Sequence, residues 1–325
     1  MARRDRLKEL LDGLTEARDD PTRADNTQRL RTALAHKNGL VVRAAAAIAS
    51  EFELHDLGDL LSPAFARMMT DPVKRDPQCR AKELLVEAMG KLDHDDIEAY
   101  FQGLAHVQNE PVWSRKVEDT AAGLRGRCAI ALMDAQVADA WLPVTLLLLD
   151  KFPAARAGAA TAIGRSGRAD IGVPVLRLKL AVGEPETAVL SAALRALLAL
   201  QGAEALPFLQ SYFRRAPAER ETAILALGES RLEEALEPLR ELCEHAVADT
   251  RRFGLMAIAM LRTEPAWSYL LDVIEHKPTP MAGDALRALA IYRYDQRVRT
   301  RVAEAVNTRA ERAVASAFAD HFDAP

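Results

Sequence analysis

Apolar positions recur along this chain with a helical period, and the helical segments recur with a period of their own. One segment type reads "RAAAAIASE" (43–51), "KELLVEAMG" (82–90), "RGRCAIALM" (125–133), "RAGAATAIG" (156–164), "LSAALRALL" (190–198), "RETAILALG" (220–228), "RRFGLMAIA" (251–259) and "AGDALRALA" (282–290). These eight copies start 30 to 43 residues apart. Six positions after each start the residue is always alanine, from Ala49 and Ala88 to Ala257 and Ala288. Three positions on it is mostly small, as at Ala46, Cys128, Ala159, Ala193, Ala223, Gly254 and Ala285. Seven on it is mostly a larger aliphatic, as at Leu132, Ile163, Leu227 and Ile258. Positions 3, 4 and 7 share one helical face, with position 6 at its edge, and small residues there let a neighbouring helix approach closely.

A second ladder precedes the first. Pro63, Pro143, Pro174, Pro207 and Pro238 each open an apolar run, and Ala99 and Tyr269 hold the corresponding places in two more. Proline suits the first turn of a helix, where its missing N–H has no partner to lose. The unit is therefore a helix starting near proline, a short turn, and a second helix carrying the alanine ladder. Helix pairs repeating every 30 to 45 residues predict an all-α fold, an α-solenoid of about eight pairs.

The stretches "DKFPAARAGAATAIGRSG" (150–167) and "PAERETAILALGES" (217–230) carry a resemblance to HEAT repeats, in particular the phycobilin-lyase-like type. The resemblance spans residues 26–292 and is strongest from 139 onward. It implies second helices lining a concave surface, and it says little about function, because such scaffolds host unrelated roles. Residues 1–25 read as an N-terminal capping helix and turn, with Leu7, Leu10, Leu11 and Leu14 on one face and Asp25 or Asn26 available to cap the next helix. Residues 293–325 read as a C-terminal cap. The longest interruption, 106–123, falls inside the third pair. No Gly/Ser linker divides the chain, so the expectation is a single domain, 1–325.

Composition narrows the picture further. Aromatic residues make up only 5% of the 325, so the core must be built from Ala, Leu, Val and Ile. The formal net charge of −4 does not suit a general nucleic-acid or membrane-surface binder. Three well-separated cysteines, Cys79, Cys128 and Cys243, argue against a disulfide framework and fit a reducing compartment. "LPVTLLLL" (142–149) is the greasiest segment, too short to span a bilayer. The N-terminus lacks the apolar run of a signal peptide. The expectation is a cytoplasmic protein without membrane insertion.

Candidate chemistry is sparse. "AATAIGRS" (159–166) is one substitution from a nucleotide-binding P-loop, but a P-loop needs its helix after the glycine and here it comes before. His36, His106, His245 and His276 each fall near the end of a first helix. HEAT-like metal hydroxylases use His-Glu dipeptides, whereas this chain has only the reverse order, at Glu244-His245 and Glu275-His276. Neither a metal nor a cofactor is expected, and the chain is expected not to be an enzyme. The first ladder position is basic in six of eight copies, at Arg43, Lys82, Arg125, Arg156, Arg220 and Arg251. Such a stripe either binds phosphates or bonds carboxylates and carbonyls of the turns, with Asp150 and Asp249 at hand. The second helices' outward face carries Arg195, Arg252, Met256 and Arg287. Cations around an apolar patch there, with Trp113 in the insertion, point to a scaffold or adaptor binding an acidic protein or peptide in the groove. The alternatives are a HEAT-like nucleic-acid-binding or repair protein and a bilin-lyase-like accessory protein.

Overall fold

The computed structural model describes residues 2–111 and 117–323. Twenty α-helical segments form two compact units, Met1–Ser166 and Gly167–Pro325. In the first, α1 (Ala2–Ala17) precedes four pairs: α2 (Ala24–Leu34) with α3 (Gly39–Glu51), α4 (Leu61–Met69) with α6 (Arg80–Lys91), α7 (Ile97–Leu104) with α8 (Ala122–Asp134), and α9 (Trp141–Leu147) with α10 (Pro153–Arg165). A single turn, α5 (Pro72–Arg75), lies between α4 and α6. In the second unit α11 (Ala169–Val182) pairs with α12 (Thr187–Gln201), α13 (Leu206–Gln210) with α14 (Pro217–Ser230), α15 (Leu236–His245) with α16 (Ala248–Leu261), and α17 (Glu264–His276) with α18 (Thr279–Leu289). A final pair, α19 (Gln296–Arg309) and α20 (Arg312–Phe318), packs against α17 and α18. The fold is all-α, with eight HEAT-like helix pairs of the α-solenoid class and helices at both ends.

The alanine ladder explains the packing. Second helices stack on one another, α3 on α6, α6 on α8 and α8 on α10 in one unit, α12 on α14, α14 on α16 and α16 on α18 in the other. Ala49, Ala88, Ala162, Ala196, Ala226, Ala257 and Ala288 are buried between them; Ala131 is half-buried. Two glycines mark the closest approaches. A Cβ on Gly158 would collide with the backbone of Gly126, across the α8–α10 contact, and one on Gly228 would lie 2.6 Å from Ala257 Cα.

The proline ladder works differently at one rung. Pro63, Pro143, Pro207 and Pro238 sit in the first turns of α4, α9, α13 and α15, each preceded by a 3-10 turn. That turn's i→i+3 bonding spares the carbonyl a proline ring would strike. Pro174 instead lies inside α11, which starts five residues earlier at Ala169.

The start of α2 also differs from expectation. The helix begins at Ala24, and neither Asp25 nor Asn26 caps it. Asn26 Nδ2 donates to Asp20 O at 2.8 Å and so ties down the preceding turn. Leu14 and Ala17 of α1 are buried against α2 and α3, while Leu7, Leu10 and Leu11 are half-buried.

The insertion between α7 and α8 contains the unexpected element. Asn109–Pro111 (β1) and Val117–Asp119 (β2) pair antiparallel, with Asn109 opposite Asp119 and Pro111 opposite Val117. Thr187–Arg214 is, among the described residues, one helical stretch long and apolar enough to cross a membrane. More than half of its most apolar window is buried in the fold, as in the core helix of a globular unit.

Candidate functional site

The basic ladder resolves into individual roles. Lys82 is fully buried, and its Nζ bonds Asp76 Oδ2 at 3.1 Å and Gln108 Oε1 at 2.9 Å. Arg125 places Nε 2.9 Å from Asp150 Oδ2 and Nη1 2.6 Å from Asp119 Oδ2. Arg156 donates to the carbonyls of Asp150 and Lys151. Arg251 bonds Asp284 Oδ2 at 2.9 Å. Asp150 thus serves as expected. Asp249 does not serve Arg251; it lies 3.3 Å from Arg252, on the solvent side of the helix, while the buried carboxylate comes from the next second helix. Arg43 differs from these paired cations, being exposed and, among the described residues, without a hydrogen-bond or ion-pair partner.

Lys82 and Arg125 belong to one buried polar network that fastens the hairpin to the helix pairs of its unit. Gln108 is its hub. Its Oε1 accepts from Lys82 Nζ and from Cys79 Sγ, and its Nε2 donates to Asp76 O and to Glu110 Oε1. Asp76 also receives the N–H groups of Ala81 and Lys82 at the start of α6. Asp119 receives the N–H groups of Gln108 and Ala121 and the Arg125 guanidinium.

Burial pushes the Cys79 thiol up to about 12 and holds the His106 imidazole below its ordinary range. Burial alone would raise Glu110, but hydrogen bonds from Thr120, Gln108 and the Gln78 N–H outweigh it and leave the carboxyl below its usual range. Asp119 shows the same balance, with two backbone N–H groups and Arg125 overcoming desolvation. Buried polar groups this well satisfied fix the geometry of the junction.

Next to this network the surface turns apolar. A recess of about 500 Å³ is walled by Leu104, Val107, Pro143, Leu146, Leu149 and Phe152, with Asp119, Arg125 and Asp150 also lining it. Val107, Leu146 and Leu149, with Leu142 one turn earlier on α9, are each more than half exposed. The opposite side of α9, Val144 and Leu147, is buried in the unit, so this short helix is apolar on two faces. Gln108 fixes the position of its neighbour Val107 on the rim.

Of the residues singled out from sequence, Arg195, Arg252, Met256 and Arg287 belong to the second unit, and none of the four lines this recess. Arg195 is exposed on α12 and bonds Glu229 of α14 at 3.1 Å, beside a smaller recess of about 240 Å³. Arg252 is exposed on α16 but bonds the buried Asp284 of α18 at 3.0 Å. Met256 is half-buried one turn further along α16, and Arg287 is exposed on α18 without a hydrogen-bond or ion-pair partner among the described residues. These four fall on three second helices of one unit, α12, α16 and α18, with α14 stacked between α12 and α16 and carrying none of them. Trp113, with Arg115 and Lys116, lies outside the described residues. "AATAIGRS" is the end of α10, where Arg165 pairs with Asp134 and Ser166 Oγ donates to Ile163 O. Among the described residues no three His, Cys, Asp or Glu side chains converge as metal ligands.

No family model matches the chain, and no curated protein matches it in sequence. Solved structures do. The complex of CpcE and CpcF of phycocyanin lyase from Nostoc sp. PCC7120 is 17% identical, covering 71% of this chain and 88% of that one, with a TM-score of 0.37. Human deoxyhypusine hydroxylase in complex with glycerol is 18% identical, covering 74% and 96%, with a TM-score of 0.29. An engineered protein is 15% identical, covering 97% and 94%, with a TM-score of 0.40. The expectation that this chain is no enzyme is corrected here, because the structures similar to it include a hydroxylase and a lyase complex. Helix pairs of this kind host catalysis as well as binding, so the architecture excludes neither. The fold itself, read from its helix pairs, is HEAT-like and all-helical.

Proposed function

We propose that this protein is a helical-repeat binding protein, and that it holds an apolar segment of a protein partner in the recess beside α9. The observation that carries the reading is the second apolar face of α9. Leu142, Leu146 and Leu149 are exposed, and Leu146 and Leu149, with Val107, line a cavity in which Asp119, Arg125 and Asp150 already bond one another and Lys151 is the one exposed charge. Exposed aliphatic side chains grouped around a recess mark interaction sites more often than ordinary surface. A ligand seeking hydrogen bonds finds the Asp119–Arg125–Asp150 set engaged and only Lys151 exposed in the lining, so complementarity here is mainly apolar.

The row Arg195, Arg252, Met256 and Arg287 is the competing location, and it suits an acidic segment. Two of its three arginines are already engaged by Glu229 and Asp284, which lowers their call on an outside carboxylate. Affinity capture from the native lysate separates the two. The pair Leu146→Glu/Leu149→Glu is expected to abolish capture of the partner while leaving the melting temperature unchanged. Arg195→Glu/Arg287→Glu is expected to leave capture intact. The opposite pattern moves the interface to the arginine row, and capture unaffected by either pair rejects both locations.

A further inference from the structure

A second recess in the first unit, of about 560 Å³, lies where the start of α3 meets the 71–80 turn. Its lining includes four cations, Arg43, Lys74, Arg75 and Arg80. Arg43, Lys74 and Arg80 are exposed and Arg75 is half-buried. Arg43 and Arg80 have no hydrogen-bond or ion-pair partner among the described residues. Arg75 donates through Nη1 to Arg67 O, and Lys74 faces the exposed Asp71 at 3.8 Å. The one carboxylate in the lining, Asp76, is buried and already taken by Lys82 and two N–H groups of α6. The recess is therefore strongly positive within a chain whose net charge is −4.

Its walls are held in place. A Cβ on Gly39 would lie 2.7 Å from Arg75 O, so the first residue of α3 and the turn are in close contact and only glycine fits between them. The turn is pinned from behind by Glu110, whose Oε1 accepts the Gln78 N–H at 2.7 Å. Asn38 Oδ1 takes the Leu40 N–H, and α3, thirteen residues long, directs the positive end of its dipole to the same place.

From these observations we infer that this recess binds a phosphate-bearing ligand with at least two phosphoryl groups. Guanidinium groups match phosphate oxygens in pairs, and two unpartnered arginines beside two further cations call for more charge than a single phosphate supplies. The volume also exceeds that of one phosphate. This assignment is independent of the α9 recess, which is apolar and lined by other residues.

The test is calorimetric titration of the full chain with pyrophosphate, and separately with a doubly phosphorylated serine peptide. Saturable one-site binding of either probe is expected, and which of them binds identifies the source as a small molecule or a modified chain. Arg43→Gln/Arg80→Gln should weaken that binding about tenfold or more, since each arginine contributes charge-assisted hydrogen bonds. Both side chains are exposed, so the melting temperature should not move, and Arg195→Gln/Arg287→Gln should bind as the parent does. The assignment is overturned if neither probe binds, if the recess variant binds undiminished, or if the phosphate-free dianion malonate binds as tightly. Single-stranded DNA bound more tightly than pyrophosphate and unaffected by the substitutions would overturn it as well.

Discussion

Lys82 Nζ lies 3.1 Å from Asp76 Oδ2 with both side chains removed from solvent, and Gln108 of the insertion completes the lysine's coordination at 2.9 Å. This contact links the second helix of one pair to the hairpin that interrupts the next. Taking away one member of such a pair leaves the other charge buried and uncompensated. Lys82→Met is therefore expected to cost about 3–5 kcal/mol. Arg195→Ala, which breaks an exposed pair with Glu229, is expected to change stability by no more than about 0.5 kcal/mol. Denaturant titration of the two variants checks the contrast, and equal midpoints would show that the buried pair does not hold the junction.

The same network predicts acid sensitivity. His106 is held below its ordinary 6.5, first by burial, so the fold favours the neutral ring. Glu110 and Asp119 are held below their ordinary 4.5 and 3.8. In each case the unfolded chain binds more protons than the folded one as the pH falls, so stability declines with falling pH. The His106 contribution begins to fade below about pH 6.5, and the carboxylate contributions fade below their ordinary values. Hydrogen exchange of the Gln108 and Thr120 amides should report this as lost protection at pH 4 relative to pH 7. Unchanged protection would contradict it.

The alanine and glycine ladder predicts opposite outcomes for one kind of substitution. Gly228→Ala forces a methyl group against the Ala257 backbone and is expected to destabilise by about 1–3 kcal/mol. Gly283→Ala, in a helix interior with nothing within 4 Å of the new methyl group, is expected to stabilise by about 0.5–1 kcal/mol. Thermal melts of the two variants should move in opposite directions.

The cysteines supply a check on burial. Cys79, Cys128 and Cys243 are buried, and burial raises all three thiols, Cys79 and Cys243 to about 12. The thiolate is the reactive form, so a maleimide at neutral pH should label none of them in the folded chain and all three in denaturant. Fast labelling of the native protein would place at least one thiol at the surface.

The sequence made the helix pairs legible because their packing rests on periodic small residues. Ala226 and Ala257 are buried where their spacing puts them, and the ladder cations Lys82 and Arg125 face carboxylates, Asp150 among them. The hairpin was not legible, since "NEPVWSRKVED" has a proline and a run of charges in place of alternation. Gln108 gave no signal either, because nothing in the spacing of a polar insertion marks one amide as a hub. The α9 recess did leave a trace. Leu142, Leu146 and Leu149 follow i, i+4, i+7 on a segment whose other face, Val144 and Leu147, is also apolar. A helix with two apolar faces has one without a partner inside its own pair. Spacing puts Arg195, Arg252 and Arg287 on second helices, but their pairing with Glu229 and Asp284 depends on neighbours that spacing alone does not reveal.

The central claim, that a protein partner occupies the recess beside α9, is tested most directly by photo-crosslinking in the native lysate. A benzophenone side chain replaces Leu146 in one variant and Arg287 in another. A discrete cross-linked protein is expected from position 146, lost when Leu149→Glu is added, and none from position 287. A product from position 287 alone, or the same product from 146 with and without Leu149→Glu, would contradict it.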